Sequence, residues 1–128
     1  MTPQRIEQTA RAAIEHVFPG AIAVGKLEQS AAYPERLHFS FNHIRADFLY
    51  FQGFPRRHRW VARIYIIIDG KQESYACKQG YARSALRTAY AEAYGDLSYD
   101  VVEAEKRLGR LRTVLECLPS LKENQESS

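Results

Sequence analysis

The residues best suited to chemistry lie between positions 53 and 60. Arg56, Arg57, His58 and Arg59 stand in a row, flanked by Phe54 and Trp60. Arginine offers a planar fork of donors to phosphate, and an aromatic ring offers a surface on which a base can stack. The competing explanation is a solvated loop whose arginines only keep it soluble. Three arginines and two large aromatics in eight residues exceed what solubility needs. A second basic group follows at Lys78, Arg83 and Arg87. Arg83 and Arg87 are four apart, so on a helix they share one face, and Lys78 lies just before the helix start, where free backbone N–H groups favour anions. Arg63 sits between the two groups. An ordinary solvent-facing helix surface would carry the same residues as Lys78, Arg83 and Arg87.

The charge balance agrees with this placement. The chain has 128 residues and a net charge of +3. Residues 56–93 hold eight basic residues against three acids, a local +5, and the rest is close to neutral. Localised charge makes a patch, and a patch attracts polyanions.

Catalytic patterns are sparse. No metalloprotease, nucleophile-elbow or phosphate-loop motif occurs. His38, His43 and Asp47 could begin the metal site of a hydrolase, but no further ligand is evident near them in sequence. Cys77 and Cys117 are 40 residues apart, outside any paired-cysteine motif, and Cys77 falls in a strand pattern, where cysteine is usually inert. The expectation is a non-enzymatic module with no cofactor and no metal. Residues 1–11 lack the apolar centre of a secretion signal. The longest apolar run, 61–68, is too short to cross a bilayer. The reading is therefore a cytoplasmic protein with reduced thiols and no membrane partner.

The elements that must hold these residues follow from periodicity. Thr2 caps and Pro3 opens a helix carrying Ile6, Ala10, Ala13, Ile14 and Val17, stopped at Pro19-Gly20. Residues 21–27 form a modest strand candidate, and residues 33–36 a turn. Leu37, Phe39 and Phe41 alternate with His38, Ser40 and Asn42, as in a half-buried strand. Residues 44–52 fit either a strand or a short helical turn. Residues 60–68 are the strongest strand, joined by the hairpin pair Asp69-Gly70 to a partner at 71–77. A helix over 81–94 buries Ala82, Ala85, Leu86, Ala89, Tyr90 and Ala93, and Gly95 ends it. A further helix over 98–118 carries Val101, Ala104, Leu108, Leu111, Leu115 and Leu118 at alternating spacings of three and four, which is the seam of a coiled coil. Glu103, Lys106, Arg107, Arg110 and Arg112 lie off that seam. The stripe is more economically read as core packed on the sheet, with a homodimer through helix 98–118 as the other option.

The fold class is α+β: an antiparallel sheet of three to four strands, with an N-terminal helix and two C-terminal helices packed on one face. Residues 1–118 form one domain, and residues 119–128 a polar, disordered tail.

The order of elements resembles a double-stranded-RNA-binding domain over residues 3–94. The segment from Trp60, Val61, Ala62, Arg63, Ile64 and Tyr65 to Asp69-Gly70 is similar to that family's last strands. Ala82, Arg83, Ala85, Leu86, Arg87 and Ala89 are similar to its alanine-rich second helix. Pro34 and His38 stand near where the family places its minor-groove loop. The insertion at 44–59 and the helix after 98 lie outside the family pattern. The resemblance implies recognition of RNA shape through phosphate and 2′-hydroxyl contacts.

Two functions from different classes remain. The first is binding of nucleic acid, RNA or DNA, or of a nucleoprotein, at Phe54, Arg56, Arg57, His58, Arg59, Trp60, Arg63, Lys78, Arg83 and Arg87. The second is a small interaction factor that docks on an acidic protein surface and inhibits or regulates a complex, in the manner of phage and mobile-element inhibitors such as anti-CRISPR proteins. The eight tyrosines suit either, because tyrosine can bury one end and keep the other wet.

Overall fold

The computed structural model describes residues 1–121. Helix α1 spans Pro3–Val17, α2 is the single turn Ala21–Val24, and α3 spans Ala82–Cys117. Five strands lie between: β1 (Lys26–Gln29), β2 (Arg36–Phe41), β3 (Ile44–Tyr50), β4 (Trp60–Ile68) and β5 (Lys71–Gly80). They pair in sequence order as one antiparallel meander. The class is the α+β expected, with five strands rather than three or four.

Local chemistry explains most boundaries. The Thr2 hydroxyl accepts from the Arg5 N–H at 3.2 Å and Pro3 opens α1, so its first turn is capped as the sequence predicts. Arg36 N–H donates to the Tyr33 carbonyl at 2.9 Å, closing the turn before β2. Asp69 and Gly70 adopt φ of 52° and 76°, the pair of left-handed residues that a two-residue hairpin turn needs.

One face of the sheet carries the core. Leu37 and Phe39 of β2, Ala46 and Phe48 of β3, Ala62 and Ile64 of β4, and Ala76 of β5 are buried there. Ile6, Ala10, Ala13 and Ile14 of α1 join the same cluster, as do Ala82, Ala85, Leu86, Ala89 and Ala93 of α3. Ser74 anchors the packing by donating to the Ala93 carbonyl at 3.1 Å. The alanines let α3 approach the sheet closely, and Leu86 is its one large buried side chain.

Two expectations change, and one alternative left open is settled. Residues 21–27 are not one strand: Gly20 turns the chain at φ 83°, Ala21–Val24 winds one helical turn, and pairing begins at Lys26. Of residues 44–52, Ile44–Tyr50 form strand β3 and the last two leave it. The larger change is at Gly95, which does not stop a helix; α3 runs on for 36 residues. Termination by glycine needs the left-handed conformation, and Gly95 does not have positive φ. In a right-handed turn glycine costs only about 1 kcal/mol relative to alanine, and the good helix formers Ala89, Ala91, Glu92 and Ala93 before it, with Leu97 and the run Glu103–Leu108 beyond it, outweigh that.

The chain divides into two compact units, residues 1–97 and residues from 98 onward. In the second, Val101, Leu108, Leu111, Leu115 and Leu118 are all exposed. The stripe read as core is thus not core. Of the tail expected to be disordered, residues 119–121 have no regular structure, and residues 122–128 lie outside the described residues.

Candidate nucleic-acid interface

The ten residues singled out from the sequence do not form one surface. The β3–β4 loop turns tightly through a 3-10 turn, Arg56–His58, and all three side chains are exposed. That turn sits against the junction of β5 and α3. Gln79 Nε2 donates to the His58 carbonyl at 2.7 Å, and the Arg57 carbonyl lies 3.9 Å from where a Cβ on Gly80 would stand. The first turn of α3 follows at once, with Arg83 exposed. A cleft of about 400 Å³ then runs between α1 and α3, lined by Arg5, Gln8, Trp60, Tyr81 and Arg83 among others. The fold therefore gathers Arg56, Arg57, His58 and Arg83 at one end of the sheet and adds Arg5, which the sequence reading did not single out. Among the described residues, Arg5, Arg56, Arg57 and Arg83 make no ion pair.

Arg87 lies one turn further along α3 and donates to His16 Nε2 of α1 at 2.8 Å. This geometry requires the neutral imidazole as acceptor. The alanine stripe is buried, and Arg83 and Arg87 share the exposed face, as expected.

Five residues separate from this group. Trp60 is only 4% exposed, with Phe48 edge-on at 6.0 Å and Tyr50 tilted at 5.1 Å, so it is core and not a stacking platform. A strand position opposite Gly80, next to the core residues Phe48 and Ala62, leaves a large aromatic nowhere else to go. Arg59 turns back on its own loop, with Nε donating to the Phe54 carbonyl at 2.9 Å. Phe54 stacks on Phe51 at 5.0 Å and lines an apolar groove of about 610 Å³ with Met1, Pro3, Ile6 and Tyr50. Lys78 pairs with Glu92 at 3.4 Å.

Arg63 faces the other way, on the side of the sheet that α1 and α3 leave open. The register there aligns Glu28, His38, Asp47, Arg63 and Cys77 in one row across all five strands. A second row holds Lys26, Ser40, Arg45, Tyr65 and Tyr75. Asp47 is largely buried at the centre, 2.8 Å from His38 Nδ1 and 3.1 Å from Arg45 Nε. The Arg63 Nε is buried with no hydrogen-bond partner. Burial pulls down the pKa of its guanidinium, but Cys77 and Tyr65 beside it more than offset this and hold it above the ordinary arginine value. At the sheet edge Lys26 and Glu28 pair at 2.6 Å; hydrogen bonding within the pair raises the lysine and lowers the glutamate.

The candidate metal residues diverge. His38 meets Asp47, whereas His43 Nδ1 lies 2.9 Å from the Ile67 carbonyl. Among the described residues, no three His, Cys, Asp or Glu side chains gather as a metal site would require. No helix among them is long and apolar enough to cross a membrane.

Alternation alone placed His38 on the polar side of its strand. The rows on the open face needed the register of five strands, and Arg5 needed the packing of α1 beside α3. Neither is written in local sequence.

No protein-family model, no curated protein and no solved structure matches this chain.

Proposed function

We propose that this protein is a non-enzymatic module that binds the phosphate backbone of duplex nucleic acid at the end formed by the 3-10 turn and the start of α3. The observation that carries the reading is that the Arg56–His58 turn packs against Gln79 and Gly80, just before Arg83, which lines one cleft with Arg5, and that Arg5, Arg56, Arg57 and Arg83 have no acidic partner among the described residues. Unpaired arginines on a rigid frame suit phosphate oxygens, and the positive end of a long helix adds to the field. Base stacking has a minor part in it: Trp60 is buried, Phe54 is stacked on Phe51, and Tyr81 alone among the rings lining the cleft is exposed. Contact dominated by the backbone favours duplex over single strand. The chain would work in the cytoplasm, a setting that suits its two unpaired cysteines.

The test is fluorescence polarisation with short duplex RNA, duplex DNA and single strands at low salt. Duplexes should bind more tightly than single strands. Replacing Arg56, Arg57 and Arg83 together by alanine should weaken duplex binding at least tenfold, whereas Lys26→Gln, at the opposite edge of the sheet, should change little. Unchanged affinity in the triple variant would sink the reading.

A second reading, a factor that docks on another protein, draws support from the groove under the Phe51–Phe54 stack. Grooves of this size and apolar lining take side chains or small ligands. A pull-down partner that survives nuclease treatment and is lost in Phe54→Ala would favour it.

A further inference from the structure

The second half of α3 carries an apolar seam that is exposed among the described residues and ends at Leu118, one residue past the helix. Val101, Leu108, Leu111, Leu115 and Leu118 are each between 45% and 70% exposed, and Ala104 is exposed beside them. Together they repeat at heptad positions a and d over two and a half heptads. Such a seam in water stabilises association with a matching helix. The residues flanking it decide which helix.

We infer that the seam pairs with the same seam of a second copy of this chain, with the two helices antiparallel. With Val101, Leu108 and Leu115 at a, the flanking e positions are Glu105 and Arg112, and the g positions are Asp100, Arg107 and Val114. In a parallel pair each g residue faces the e residue of the partner's next heptad. Asp100 would then face Glu105 of the partner subunit, and Arg107 would face Arg112 of the partner subunit. Both contacts are between like charges, and each occurs twice.

An antiparallel pair sets a against d, e against e and g against g. One register seats Leu108 against Leu111 of the partner subunit, Val101 against Leu118 of the partner subunit, and Leu115 against Ala104 of the partner subunit. Every apolar seam position is then filled. The same register brings Glu105 opposite Arg112 of the partner subunit, on both sides of the two-fold axis. Sliding by one heptad in one direction sets Glu105 against its own copy and Arg107 against its own copy. Sliding in the other sets Arg112 against its own copy and empties apolar layers. Charges beside a coiled-coil seam select orientation in this way. Within the chain, Glu105 and Arg112 make no ion pair among the described residues, so both are available.

The test is sedimentation equilibrium of the full chain over a range of concentrations, in wild type and three variants. Wild type should pass from monomer to dimer mass as concentration rises. Glu105→Arg and Arg112→Glu alone should each weaken the dimer at least tenfold, and the two combined should restore it. A parallel pair gives the opposite signs, because each single change would then replace a repulsion by an attraction. Both positions are exposed, so the variants leave the fold intact. A monomer at every concentration would overturn the inference. So would a dimer that the single variants strengthen or leave unchanged.

Discussion

At the scale of single residues, side-chain identity mattered less than what each residue met. Gly25 is the clearest case. A Cβ there would stand 2.6 Å from Phe39 Cε2 and 2.8 Å from the Ser40 carbonyl, and Phe39 is fully buried. Neither neighbour can withdraw, because one is packed in the core and the other is backbone. Gly25→Ala should therefore destabilise the protein by about 1–3 kcal/mol, as overpacking does. A urea titration would detect the loss, and an unchanged midpoint would show that the turn between α2 and β1 can yield. Arg59 and Lys78 make the same point for charge. Both were expected to meet a ligand, and each is instead engaged within the chain, one by its own loop and one by Glu92.

At the scale of elements, α3 departs furthest from what local signals predict. The residues on either side of Gly95 were legible as helix, and only the join was misread. Among the described residues, nothing lies within 4 Å of a Cβ added at Gly95. Gly95→Ala should thus stabilise the protein by about 0.5–1 kcal/mol, the usual difference between the two residues inside a helix. A raised thermal midpoint is the expected result, and a lowered one would mean that the position needs a conformation other than helical. The strands were read better. Residues 37–41 and 60–68 alternate because one face is buried, and the hairpin at Asp69-Gly70 followed from the turn type.

At the scale of the whole molecule, the electrostatic reading predicts a salt dependence. If four arginines displace counterions from duplex DNA, the logarithm of affinity should fall against the logarithm of salt with a slope of roughly −3 to −4. Removing Arg56, Arg57 and Arg83 should leave a slope of about −1. A flat salt profile in the wild type would count against phosphate contact altogether. The whole chain is laid out as an N-terminal helix, a five-stranded antiparallel meander and a last helix of 36 residues.

Within one element, the sequence alone was enough. Period and turn chemistry act over a few residues, so the α+β class, the cap at Thr2, the alanine face of α3 and the polar side of β2 could all be read directly. What needed the folded chain was every relation between elements. Burial of Trp60 depends on β3 and β5 standing on either side of β4. The gathering of Arg5 with Arg83 depends on α1 lying beside α3. The row from Glu28 to Cys77 depends on four successive strand registers. These are contacts between residues far apart in sequence, set by which apolar faces meet, and no local pattern encodes the meeting.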